Sequence, residues 1–138
     1  MKRYMYSILF AAALALPSAY AQTIDLGAEV PFDFRVGDTL MQAGKYTVHE
    51  SGSLLMVRSL GGQKKGVFHL TVPASRSAAS SDGKLVFNRY GSEYYLTTLW
   101  SPGSQEGRAL IRSKREKEVA SHSMAIETAG IPVEEASR

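Results

Sequence analysis

Between residues 45 and 100 apolar and polar side chains alternate in short runs, each closed by glycine or a small polar cluster. A chain with that rhythm can bury one face only as β-strands. The runs at 45–50 (KYTVHE), 54–60 (LLMVRSL), 67–72 (VFHLTV), 84–90 (KLVFNRY) and 94–100 (YYLTTLW) are such segments. Another, at 28–36 (AEVPFDFRV), puts Val30, Phe32, Phe34 and Val36 on one side and Glu29, Asp33 and Arg35 on the other. Pro31 cannot donate a ladder hydrogen bond, so this strand should lie at an edge or begin near the proline. Together they predict an all-β fold, a small antiparallel β-sandwich or partly open barrel of six or seven strands.

Turn lengths then set the register. A turn at Ser51-Gly52 places Val48 opposite Leu55 and Tyr46 opposite Val57, and a loop over 61–64 places Val57 opposite Phe68 and Leu55 opposite Leu70. The predicted inner face is Tyr46, Val48, Leu55, Val57, Phe68, Leu70 and Val72, with Lys45, Thr47, His49, Arg58, His69 and Thr71 outside. A slip of one residue would exchange the two faces. A hairpin about Gly91-Ser92 pairs Phe87 with Leu96, Leu85 with Thr98 and Arg89 with Tyr94. Residues 73–83 (PASRSAASSDG) read as a flexible crossover loop between the sheets. Ser113 with Glu116 forms a capping-box pattern for a short helix over 114–120, and 121–138 reads as an extension with one strand near 124–127 and a frayed end.

The chain has 138 residues, which is room for a single core, and no cysteine, which excludes disulfide and thiolate chemistry. Its first 21 residues have the form of a secretory signal peptide: Lys2 and Arg3, an uncharged apolar run at 8–16, Pro17, and a small-residue cleavage site at Ala19-Tyr20-Ala21. The apolar run is about half of the roughly 20 residues that a bilayer-spanning helix needs. Cleavage at Ala21 would remove two of the sixteen basic side chains, leaving fourteen against thirteen acidic ones. The exported domain would then carry a charge of +1, so the formal +3 of the whole chain is no argument for nucleic-acid binding. The expected location is the periplasm or the cell exterior, without a transmembrane segment in the mature chain.

Catalytic and metal chemistry find little purchase. The sequence holds no G-x-S-x-G motif, and Gly61 to Gly66 departs from a phosphate loop and joins two strands instead of opening a helix. His49 and His69 share the predicted outer face without a carboxylate between them, which argues against a structural metal. No cofactor motif is present, and the expectation is a protein that is not an enzyme.

Two patches suit binding. Asn88, Arg89 and Tyr95, beside Tyr90, Tyr94 and Trp100, resemble a surface that stacks a sugar or a peptide, with Tyr94 and Trp100 assigned to the core and Tyr95 and Asn88 facing outward. Arg112, Lys114, Arg115 and Lys117, in a stretch interrupted by Glu116 and Glu118, suit an anionic lipid or envelope polymer. A pocket lined by Phe34, Tyr46, Phe87 and Trp100 would make the domain a carrier of a small lipid or sugar.

Three segments look familiar: VPFDFRVGDTLMQAGKYTV at 30–48, VFNRYGSEYYLTTLWSPGSQEGRAL at 86–110, and Ser113-Lys114-Arg115-Glu116. They resemble a group of small exported bacterial proteins with no assigned activity, whose pattern runs VPFxFxVG, an L-P-A-G-x-Y-x-V hairpin, R-Y-G-x-x-Y-F-L and S-[KR]-R-E-x-E. This chain departs from it at Met41-Gln42 and at Tyr95. The AGKYTV step at 43–48 is also similar to the edge of transthyretin-like and carboxypeptidase-regulatory sandwiches. The resemblance implies export and a β-fold and supplies no site residues. The reading is an exported, non-catalytic interaction or envelope-associated module, with a small-ligand carrier and a hydrolytic enzyme as alternatives.

Overall fold

A computed structural model describes residues 25–61, 65–123 and 126–135. The expected signal peptide at 1–21 lies outside these residues, as do 62–64 of the second hairpin loop and 124–125 of the expected seventh strand. The fold is all-β with one short helix, α1, at Lys114–His122. The strands are β1 Leu26–Val30, β2 Phe34–Val36, β3 Thr39–Met41, β4 Gly44–Ser51 and β5 Leu54–Ser59, then β6 Gly66–Ser80, β7 Gly83–Tyr90, β8 Glu93–Trp100, β9 Ser104–Leu110 and β10 Glu127–Glu135.

Eight strands in the order β8-β7-β10-β1-β4-β5-β6-β9 close into an antiparallel barrel through the pairing of β8 with β9. This replaces the expected sandwich or partly open barrel of six or seven strands. Two stretches of strand beyond that expectation make the difference. β9 covers the stretch between the last predicted β-hairpin and the predicted helix, where Gly107 is the sign of a strand in close contact: a Cβ there would lie 2.6 Å from the Trp100 ring. β10 begins at Glu127, the last residue of the strand expected near 124–127, and runs on through the tail read as frayed, pairing with β7 from Glu127 opposite Arg89 to Val133 opposite Gly83. Pro132 is tolerated inside β10 because β10 meets β1 only at Leu26 and Gly27, so the proline's missing N–H costs no ladder bond on that side.

The run at 28–36 is two strands. Pro31 ends β1, which pairs with β4, and the chain bends through Asp33 before β2 pairs with β3 and, in parallel, with β8 at Arg35 and Tyr95. The alternation survives the break, since Val30, Phe34 and Val36 are all buried and Phe32 is half-buried against the core. The turn between β2 and β3 passes close under β6: Gly37 has φ +60°, and a Cβ on it would sit 2.7 Å from the His69 ring.

The core is Leu26, Val30, Phe34, Val36, Met41, Tyr46, Val48, Leu55, Val57, Leu85, Phe87, Leu96 and Leu99, with Leu110 and Val133 closing the last two strands. Phe34 stacks edge-on against both Tyr46 (5.1 Å between centroids) and Phe87 (5.3 Å). The helix forms as the capping pattern predicts, with Ser113 Oγ accepting from the Glu116 N–H, and continues two residues further than expected.

Register departs from the expectation in two ways. Val48 lies opposite Val57 and Tyr46 opposite Ser59, a shift of two residues that leaves every side chain on its predicted face. Between β5 and β6 the shift is one: Leu55 lies opposite His69 and Met56 opposite Phe68. Phe68, Leu70 and Val72 therefore point outward, and Val67, His69 and Thr71 point inward. Beyond the Gly91 turn, Phe87 meets Leu96 and Arg89 meets Tyr94 as predicted, but an irregularity after Val86 places Leu85 opposite Leu99. The stretch at 73–83 is no free crossover loop either. Val72 to Ser75 pair with β9, and only between Ser75 and Ser80 does β6 bulge out of register. There Arg76 donates to the carbonyls of Ser80, Ser101 and Ser104 while its guanidinium lies 5.2 Å from the Trp100 ring.

Candidate functional site

Tyr90 and Asn88 on β7 and Glu93 and Tyr95 on β8 point away from the barrel core, toward α1. Here the two predicted binding patches meet. The Tyr90 hydroxyl donates to Glu116 Oε1 at 3.0 Å, and Asn88 Nδ2 donates to the Tyr90 oxygen at 3.3 Å. Arg115 Nη2 donates to Glu93 Oε1 at 2.9 Å, Tyr95 OH donates to Glu93 Oε2 at 3.3 Å, and Arg112 Nε lies 3.9 Å from Glu116. Tyr95, expected to face outward to solvent, is 1% exposed, because the helix and the Tyr90 ring cover it. Among the described residues no buried side-chain polar atom lacks a partner.

Two carboxylates in this layer are driven in opposite directions. Burial pushes the Glu116 carboxyl above its ordinary value, with the Tyr90 hydrogen bond and the charges of Arg112 and His69 pulling the other way. The Arg115 hydrogen bond holds Glu93 below its ordinary value. Burial raises the phenols of Tyr90 and Tyr95, so both remain hydrogen-bond donors at neutral pH. Glu116 is 4% exposed and faces a phenol beneath a helix, an arrangement that ties α1 to the barrel and offers no open cleft for proton transfer to a substrate.

The remaining predicted residues lie apart from this layer. Arg89 pairs with Glu127 on β10 at 3.2 Å and lies 5.6 Å from the Tyr94 ring. Lys114 and Lys117 are exposed on α1. Tyr94, assigned to the core, is half-buried and stacks on Phe32 at 3.8 Å. The pocket expected among Phe34, Tyr46, Phe87 and Trp100 is occupied by the first three rings themselves, while Trp100 lies outside that cluster beneath Arg76.

Elsewhere the surface carries a polar cleft of about 460 Å³ whose lining includes Glu50, Ser75, Ser101, Glu106 and Arg108. Arg108 donates to Thr71 Oγ1 at 2.9 Å and lies 3.7 Å from Glu50, so its charge is engaged inside the fold. His49 Nδ1 lies 2.6 Å from Asp25 Oδ1, and among the described residues no group of three or more potential metal ligands converges.

The least expected feature is an apolar face. Phe68 is 66% exposed, Leu70 55%, Val72 47% and Leu54 41%. Register makes them neighbours: Leu54 lies opposite Leu70, and Met56 opposite Phe68. Ile111, 49% exposed, joins them where its N–H meets the Leu70 carbonyl. Scattered single apolar residues are ordinary on a surface, but these five occupy adjoining positions on β5, β6 and the segment after β9, and a contiguous exposed apolar patch is often an interaction surface. Sequence reasoning missed it by assigning the apolar side of β6 to the core; the polar pair His69 and Thr71 on the other side was the only contrary signal. Comparison of the chain with protein-family models, curated proteins and solved structures finds no match.

Proposed function

We propose that the chain is an exported, non-catalytic interaction module that works through the apolar outer face of β5 and β6. The observation that carries this reading is the cluster of Leu54, Phe68, Leu70, Val72 and Ile111, hydrocarbon side chains held in water on a rigid sheet. The signal-peptide pattern at 1–21 and the resemblance to small exported bacterial proteins support a place in the periplasm or outside the cell. Envelope proteins and polymers are the partners such a location offers. The carrier alternative loses its support, since the rings of Phe34, Tyr46 and Phe87 pack against one another in the space it needs.

Affinity capture from native envelope tests the reading. The wild-type chain should retain partners that a Leu54→Ser, Phe68→Ser, Leu70→Ser variant loses while keeping its thermal unfolding transition. Identical capture by both proteins would reject the apolar face as the contact surface. A variant in which Arg112, Lys114, Arg115 and Lys117 become Ser separates charge-driven attachment to envelope polymer: it should leave capture intact.

A further inference from the structure

We infer that the polar cleft between β6 and β9 binds a saccharide unit, a neutral ligand with hydroxyls on neighbouring carbons. The charged side chains of the cleft stand on the inner side of the sheet, away from the outward Phe68, Leu70 and Val72, so the site works with or without a partner on that apolar face.

Register puts the lining there. On β9, Arg108 and Glu106 alternate with the buried Leu110, and they lie opposite Pro73 and Ser75 on β6 as Leu110 lies opposite Thr71. On β4, Glu50 follows Tyr46 and Val48 on the inward side, opposite the buried Leu55. The inner side therefore changes from apolar to polar at this end of the barrel, and the polar part borders a space of about 460 Å³. Small-ligand sites measure about 300–1,000 Å³, and the end of a β-barrel is one of the places where they occur.

The walls are fixed before any ligand arrives. Arg108 donates from Nε to Thr71 Oγ1 at 2.9 Å and from Nη2 to the Thr71 carbonyl at 3.2 Å, which holds its guanidinium in one orientation. Arg76 donates to the carbonyls of Ser101 (3.3 Å) and Ser104 (2.7 Å) and ties the turn between β8 and β9 to β6. Ser104 Oγ in turn accepts from the Glu106 N–H at 3.0 Å. A site whose donors and acceptors are already in place loses less freedom on binding than one that must order them.

Charge selects the ligand. The lining carries one guanidinium and two carboxylates, with hydroxyls on Ser75 and Ser101. Arg108 opposes a cation, and Glu50 and Glu106 oppose an anion. Neighbouring hydroxyls suit all three groups, because each can donate to a carboxylate and accept from the guanidinium or a serine. Pro73 and Ala74 offer hydrocarbon to the C–H face of a sugar ring. Glu50 lies 3.7 Å from Arg108, whereas among the described residues the Glu106 carboxylate makes no ion pair. Glu106 is thus the acceptor left for the ligand.

Titration of the full chain with three neutral trisaccharides (maltotriose, cellotriose and triacetylchitotriose), followed through amide chemical shifts, tests the site. At least one sugar should move the amides of 74–75 and 104–108 along a saturable curve, and its affinity should be indifferent to salt because it carries no charge. Glu106→Ala, at an exposed position, should weaken binding tenfold or more with its unfolding transition retained. Ser75→Leu, which puts hydrocarbon into the cleft, should abolish binding, and Phe68→Ser should leave it unchanged. Absence of a saturable shift with all three sugars would overturn the inference, as would binding that Glu106→Ala leaves intact. Trilysine that moves the same amides, with an affinity that falls as salt rises, would overturn it in favour of a cationic ligand.

Discussion

Around Tyr90 and Tyr95 the outside of the barrel is covered by α1, whereas around Phe68 and Leu70 it is bare. The covered face is made of side chains with an apolar body and a polar tip, and each tip has a partner: Tyr90 with Glu116 and Asn88, Tyr95 with Glu93, Glu93 with Arg115. The bare face is hydrocarbon throughout. A lid belonging to the same chain can be matched polar group by polar group as the chain folds, and such a match makes the lid permanent. A face that must also exist uncovered, before its partner arrives, can carry no buried polar atom that only the partner would satisfy. Hydrocarbon meets that condition, at the cost of exposed apolar surface.

Parallel truncations give the largest test of this contrast. Tyr95→Ser removes a fully buried ring from beneath α1 and should destabilise the chain by about 3–5 kcal/mol, as large-to-small core substitutions do. Phe68→Ser removes a ring of similar size from the bare face and should change the stability of the isolated chain by no more than about 0.5 kcal/mol. Urea unfolding at low protein concentration, where association does not contribute, measures both. Equal losses would mean that Phe68 is covered within the chain, and the contrast would be broken.

A smaller effect should follow from Thr71→Val. The substitution keeps the volume but strips the hydroxyl that donates to the Ser53 carbonyl and accepts from Arg108, so it should cost about 1–3 kcal/mol. With β6 in the alternative register the same residue would face water, and the change would be nearly neutral. Urea midpoints for wild type and variant decide between the two registers directly.

That register marks where the sequence stops being legible. The strand periods at β4, β5, β7 and β8 were readable because each strand has one apolar side and one polar side, so burial admits a single choice. In β6 the apolar side is the wrong guide, since patterning assumes that apolar means inward and here Phe68, Leu70 and Val72 face outward. β9 and the length of β10 beyond Glu127 were missed for another reason: SQEGRAL and ETAGIPVEE contain glycine, proline and charge where strands usually carry branched or aromatic residues, and their pairing is imposed by barrel closure. The helix was readable from its cap, because Ser113 and Glu116 act within one turn. Its docking was not, because Tyr90 and Glu116 are 26 residues apart and no local pattern connects them.

The cap sets the next step down in size. Ser113→Ala removes the acceptor for the Glu116 N–H and should cost about 1 kcal/mol, read as a lowered urea midpoint. Because Glu116 and Arg115 sit in that first turn, the loss should also loosen the cover over Tyr90 and Tyr95, visible as faster hydrogen exchange of the α1 amides. The β5 amides should be unchanged, since β6 and β9 stand between β5 and β8 in the barrel.

The smallest effect separates the two carboxylates of the covered face. Glu116 has its folded-state pKa raised above the ordinary 4.5, so its contribution to stability is fully present below pH 4.5 and is lost as pH rises through the folded value. Glu93 has its folded-state pKa lowered, so its contribution is present above pH 4.5 and is lost as pH falls through the folded value. Glu116→Gln should therefore match the wild type in acid and gain on it as pH rises, whereas Glu93→Gln should match it in strong acid and fall behind above pH 4.5. Urea midpoints across pH 3 to 8 for the three proteins distinguish these slopes. If Glu116→Gln runs parallel to the wild type, the carboxyl is solvated in the folded state, α1 does not seal it, and the face around Tyr90 is no more covered than the face around Phe68.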